Sequence, residues 1–266
     1  MRKIKGPAIS NAAKAAAGNP LRKVMIATPC RDGSTSVHYT NALANSVKFA
    51  MTQGIELCPW FMPGEALVQI ARNELLAIML GPNGQDFTDV VWIDDDMGWA
   101  PDFIPRLLAH DVDVVGAVCP KKSSEIGWNV RMLPTGITVN DKGLAPVHYV
   151  GTGFLRMSRK ACQALWDAGE PYTRGGGPER RMAFDLAIDD QGELVSEDNL
   201  ACHTLREKGL DIYIDATLTC THTGPQTFGG DFHAWLKTLP PSGTAAAVAA
   251  ASQRRVAMKN KRHRRK

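Results

Sequence analysis

The 266-residue chain has no run of 18 or more apolar residues, no CxxC pair, and no acidic residue near either end. Each absence excludes something. Without an apolar run of bilayer length, no membrane-spanning helix is expected. The six cysteines, Cys30, Cys58, Cys119, Cys162, Cys202 and Cys220, stand singly. That argues against a zinc knuckle or a disulfide framework and fits reduced thiols. The opening MRKIKGPAISNAAKAAAGNP lacks the continuous apolar core of a secretion signal, so a soluble, cytoplasmic protein is expected. What is present is a 44% apolar content, enough for one sizeable core at this length.

Charge is distributed unevenly. The first 23 residues hold six of the 31 Lys/Arg and none of the 27 Asp/Glu, and RRVAMKNKRHRRK, from Arg254 onward, holds eight and none. Residues 24–253 are left with 17 bases against 27 acids, a net charge of about −10. The expected organisation is a basic leader over 1–22, one folded domain over 23–240 and an Ala-rich then basic tail over 241–266. Such a tail reads either as a solubility tail or as a phosphate-binding arm for nucleic acid or another anionic surface.

Within the body, short apolar strands alternate with helical patterns. Val24 to Ala27 ends in a Pro/Gly loop, HYTNALANSVKFAMTQG has helical spacing, and IELCPWFM is a second strand. GEALVQIARNELLAIMLGPNG is a second helix, with Leu67, Ile70, Leu75, Ile78 and Met79 as its inward side. TDVVWIDDD, VDVVGAVCP, VHYVGTGFLRMS and LDIYIDATLTCTH read as further strands. PDFIPRLLAHD, RKACQALWDAG and SEDNLACHTLREKG read as helices, the last with Ser196 as N-cap. Residues 121–150 lack clear periodicity. This alternation predicts an α/β fold with a mainly parallel central sheet flanked by helices, in which ligands bind at the carboxyl ends of strands.

Asp94, Asp95 and Asp96 sit at such an end. In an extended segment Asp94 and Asp96 share a side, and two hard oxygen donors at that spacing suit Mg²⁺ or Mn²⁺. A solvated acidic turn is the bland alternative. His222 closes the last strand, where an imidazole is either a structural residue or a ligand for a borderline metal such as Mn²⁺. Glu197 and Asp198 occupy a helix first turn, where the dipole alone favours them; the functional reading is a general base. Gly151-Thr152-Gly153 marks a bulge or a close backbone approach. Arg72 and Asn73 either project to solvent or, aimed at the strand ends, bind a diphosphate.

Taken in order, ATPCRDG, WIDDDM, GTGFLRMSRKA, SEDNLACHTLREKGLDIYID and His222 resemble the GT-A type glycosyltransferases, over about residues 24–230. The resemblance implies a Rossmann-like GT-A domain that moves a sugar from a nucleotide-sugar donor, UDP-linked by preference, to a hydroxyl acceptor with Mn²⁺ or Mg²⁺. It places Thr28, Pro29 and Arg31 near the nucleotide and Arg72 and Asn73 beside the donor. Asp94 contacts the ribose or metal-bound waters, Asp96 and His222 bind the metal, and Asp95 is able to replace either neighbouring Asp. Asp198 is the implied base of an inverting reaction, with Glu197 its rival. Within that family, the GEALVQIARNELL helix and WIDDDMGW look most like phage-encoded enzymes that modify hydroxylated pyrimidines in DNA, acting in the host cytoplasm. That gives the basic tail a role in holding DNA. Trp99 and Trp128 are each able to stack on a base or to be core. A glycan, lipid or protein acceptor, a nucleotidyltransferase and a non-catalytic nucleic-acid-binding protein are the alternatives.

Overall fold

A computed structural model describes residues 22–123, 127–224 and 227–239. All of the expected leader but Arg22, and the whole expected tail, lie outside the described residues. Seven strands form the central sheet: β1 (Arg22–Cys30), β2 (Ile55–Pro63), β3 (Phe87–Ile93), β4 (Val114–Val118), β5 (Leu144–Val147), β6 (Phe154–Ser158) and β7 (Ile212–Thr219). Their order is β2-β1-β3-β6-β4-β7-β5. β1 runs parallel to β2 and β3, and β4 to β7. β6 is antiparallel to both its neighbours, and β5 to β7. Five strands therefore share one direction, and the α/β class with a mainly parallel central sheet flanked by helices is the fold of this chain.

Alternation along each strand divides the core in two. On β1, Met25 and Ala27 join one cluster and Val24 and Ile26 the other; on β3, Val90 and Trp92 oppose Val91 and Ile93. Helices α2 (Val68–Leu80), α4 (Arg159–Ala168), α5 (Glu197–Glu207) and α6 (Phe232–Leu236) supply the first cluster. Helices α1 (Val37–Thr52) and α3 (Phe103–Ala109) supply the second. Both faces being covered explains why the strands read as nearly unbroken apolar runs. Ser36 caps α1 by accepting from Tyr39 N at 3.0 Å, and Ser158 caps α4 through Ala161 N.

Four local expectations change. The second helix begins at Val68, leaving Leu67 exposed and Ile70 and Ile78 half-buried. Its buried side instead includes Ala71, Arg72, Asn73, Leu75, Leu76 and Met79, because the helix is covered by the segment around 180–184 as well as by the sheet. The stretch 147–158 is not one strand. Tyr149–Val150 pairs with Val130–Arg131, and the chain turns through Gly151–Gly153 before entering β6. Gly151 is required there, since a Cβ on it would lie 1.5 Å from Asn129 Nδ2. Ser196 has the extended backbone of a cap, but its hydroxyl donates to Asp198 Oδ1 rather than accepting from the helix. Finally, the chain leaves the sheet after Thr219, and Thr221–Thr223 pairs with Met97–Gly98.

Candidate active site at the carboxyl edge of the sheet

The sheet brings several chain segments to one edge. Asp94–Asp96 follow β3, Cys119–Lys122 follow β4, and Thr221–Thr223 follow β7. β6 runs the other way, so its entry turn, Gly151–Gly153, arrives at the same edge. Backbone bonds lock these pieces together: Asp94 N donates to Gly153 O at 3.2 Å, Thr223 N to Asp96 O at 2.9 Å and Cys220 N to Val118 O at 2.9 Å. Between them lies a cavity of about 240 Å³ walled chiefly by Asp94, Cys119, Lys122, Asn129, Gly153 and His222.

The three carboxylates do not lie along an extended chain. Met97 N donates to Asp94 O at 3.2 Å, closing a turn with Asp95 and Asp96 at its centre. The same-side argument for Asp94 and Asp96 therefore does not apply, because it assumes strand geometry. The turn fans the charges apart. Asp94 Oδ1 accepts from Arg72 Nη2 at 2.9 Å. Asp96 Oδ2 accepts from the Lys122 ammonium, and His222 Nε2 stands 3.3 Å from Asp96 Oδ1. Asp95 has neither kind of partner, and burial, with Asp96 and Asp94 adding to it, pushes its carboxyl up to about 6. Burial acts against ionisation of Asp96 too, but the contacts with His222 and Lys122 outweigh it and hold its carboxyl below the usual range.

His222 is oriented from behind. Its Nδ1 lies 2.9 Å from Pro120 O, a carbonyl that can only accept, so Nδ1 carries a proton. In the neutral ring this leaves the Nε2 lone pair facing Asp96. Burial opposes its protonation, while Asp96 and the Pro120 carbonyl prevail and raise the imidazole above its ordinary value. Asp96 Oδ1 is buried yet accepts no aligned hydrogen bond. An orphaned carboxylate oxygen beside a tautomerically fixed imidazole is a donor pair that fits a divalent cation. Asp94 is not part of that pair, since Arg72 holds it, and no three His, Cys, Asp or Glu side chains converge as a metal cluster among the described residues.

Arg72 and Asn73, which the sequence left open to solvent or donor, are both buried. Arg72 bridges Asp94 and Glu197, tying α2 to the end of β3 and the start of α5. Asn73 is committed to the 182–184 segment: Oδ1 accepts from Ala183 N and Phe184 N at 3.0 and 2.9 Å, and Nδ2 donates to Phe184 O at 2.9 Å and to Met182 Sδ at 3.2 Å. Asn73 is thus a clamp on the 182–184 segment. Thr28 is likewise buried, hydrogen-bonded to the Tyr39 hydroxyl, and Arg31 is three-quarters exposed beside Asp32. Pro29, next in β1, is half-buried. Asp198 accepts from the Ser196 hydroxyl and from Asn199 N through Oδ1 alone.

Trp99 and Trp128 are buried, Trp99 donating to Ser46 Oγ at 2.8 Å and Trp128 packing on Phe232 and Trp235. None of the cysteines is in a disulfide, and burial pushes the Cys30, Cys162 and Cys202 thiols up to about 11, 12 and 12. These are inert as nucleophiles near neutrality. Sequence reasoning missed Lys122, Asn129 and Cys119. For Cys119 and Lys122 the signal was available in VDVVGAVCPKK, a strand whose carboxyl end obeys the same rule that singled out the Asp cluster.

Among the described residues no helix is long and apolar enough to cross a membrane. No family model and no curated protein matches the sequence. Among solved structures, A197 from STIV is similar over 76% of this chain and 86% of its own, at 16% identity and a TM-score of 0.48. The catalytic domain of Drosophila beta1,4-galactosyltransferase 7, solved in complex with xylobiose, is similar over 73% of this chain and 65% of its own, at 13% identity and a TM-score of 0.42.

Proposed function

We propose that this chain is a metal-dependent glycosyltransferase that moves a sugar from a nucleotide-sugar donor to a hydroxyl acceptor. The observation that carries the reading is the pairing of Asp96 Oδ1, buried and without an aligned hydrogen bond, with His222 Nε2, a residue that lines a cavity on the carboxyl edge of the sheet. Asp96 and His222 would hold Mn²⁺ or Mg²⁺. When bound, the ion supplies Lewis-acid stabilisation of charge on a leaving diphosphate.

The remaining roles fall to the chain's own groups. Arg72, held by Asp94 and Glu197, fixes the wall on which Asp94 faces the cavity and keeps Glu197 paired. With Glu197 engaged by the buried Arg72 guanidinium, the role of base for an acceptor hydroxyl falls to Asp198. The acceptor we favour is a hydroxylated pyrimidine in DNA. Its support is the charge pattern alone: an acidic body needs cationic ends to hold a phosphate backbone.

The test is donor hydrolysis with purified protein, Mn²⁺ and a panel of nucleotide sugars, with Asp96→Ala alongside. Release of a nucleoside diphosphate, lost in Asp96→Ala, is expected. No release from any donor, with nucleotide binding unchanged in Asp96→Ala, overturns the reading. Truncation at residue 253 is expected to weaken DNA association at low salt and spare hydrolysis; unchanged DNA affinity removes the nucleic-acid acceptor.

A further inference from the structure

Lys122 stands four residues past the end of β4, and its ammonium bonds Asp96 Oδ2 while His222 addresses the other oxygen of the same carboxylate. The cation-binding edge of Asp96 is therefore already neutralised by the chain itself. The geometry of the attachment makes it reversible. The Lys122 side chain is about a third exposed, at 36%, and it lies in a bend on the cavity wall, outside helix and strand. A long flexible stem of this kind can swing away without disturbing the backbone bonds that hold Asp96 and His222. Arg72, a second cation at this edge, cannot: it is buried and shared by two carboxylates.

A divalent ion approaching Asp96 and His222 meets a positive charge bonded to its principal ligand, and two cations on one carboxylate repel. We infer that Lys122 is a positioning residue that serves as the built-in counter-ion of Asp96, and that a divalent cation binds only by displacing it. Lysine and metal compete for one carboxylate, so Lys122 sets the metal affinity of the site. This rests on the reading of Asp96 and His222 as metal ligands. Lys122 holds Asp96 Oδ2, and His222 faces Oδ1.

The experiment is a Mn²⁺ titration followed by the electron paramagnetic resonance signal of the free ion, which needs no turnover. Wild type, Lys122→Met, Lys122→Gln and Lys122→Arg are compared, each checked for native circular dichroism. Both neutral variants are expected to bind Mn²⁺ roughly tenfold more tightly than wild type, because no like charge has to be moved, and Lys122→Arg is expected to stay within about twofold of wild type. The gain is expected to vanish when Asp96→Asn is added to Lys122→Met. Equal or weaker binding in the folded neutral variants overturns the competition while leaving the metal reading intact. A gain that survives Asp96→Asn also overturns it. If no variant binds Mn²⁺ at millimolar concentration, both this inference and the metal reading fall.

Discussion

The two ends of strand β3 carry acidic residues in contrasting states. At its start, Asp89 is buried and fully matched: Arg22 Nε and Nη2 donate to Oδ2 at 2.9 and 2.7 Å, and Arg156 Nε donates to Oδ1 at 2.6 Å. Both guanidiniums reach on to the backbone carbonyls of Leu108 and Val112. Just past its finish, seven residues later, Asp96 leaves one oxygen without an aligned hydrogen bond and offers the other to a partly exposed lysine. The same residue type, once within β3 and once in the turn that follows it, is structural where every lone pair is matched, and available where one is not. Satisfaction, rather than burial or charge, separates a fold-stabilising carboxylate from a ligand-seeking one.

The sharpest way to break this contrast is to remove each carboxylate in turn. Asp89→Ala leaves Arg156 buried with its partner gone, and we expect a loss of about 3–5 kcal/mol in urea unfolding, the range for breaking a buried ion pair. Asp96→Asn should cost about 1 kcal/mol or less, since Lys122 can return to water. Equal losses at the two positions would show that the carboxyl edge is as structural as the amino edge.

Asn73 gives an intermediate case, because it lies beside the site yet serves only the fold. Asn73→Ala orphans the buried N–H groups of Ala183 and Phe184 and the Phe184 carbonyl, and we expect about 2–3 kcal/mol of destabilisation. Mn²⁺ affinity should be unchanged in the folded variant. A variant with native stability but weakened nucleotide binding would return Asn73 to the donor.

The smallest effect concerns Asp113, on the amino edge, which accepts from Ser158 Oγ and Lys160 Nζ, both at 2.7 Å. Burial acts against its ionisation, but these bonds prevail and hold its carboxyl below the usual range. A depressed carboxyl stabilises the fold above the pKa of the unfolded chain, and that contribution disappears as pH falls through the folded pKa. Asp113→Asn should therefore flatten the acid side of the stability curve and leave thermal unfolding nearly unchanged in shape above pH 6. An acid limb identical to wild type would remove Asp113 from the account.

Much of the frame is legible in the chain. Runs such as VVWI and VVGAV specify buried strands because only a sheet covered on both faces hides consecutive large apolar residues. The acidic cluster, the closing histidine and the covered-sheet class follow from that reading. The direction of β6 does not, for a strand pattern reads the same both ways. Nor does the burial of Arg72 and Asn73, since helical periodicity describes one covered side and this helix has two.

By itself, then, the sequence determined which segments would be buried, where strands would end, and that carboxylates and an imidazole would gather at those ends, because these follow from local patterning. Only tertiary structure decided which of three adjacent carboxylates is paired with Arg72, which is raised towards neutrality by burial, and which faces His222 and Lys122. Those partners lie between 22 and 126 residues away from the carboxylates they meet, through Arg72–Asp94 at one extreme and His222–Asp96 at the other. The state of a charge depends on what folding places within a few ångströms of it, and no local pattern encodes that.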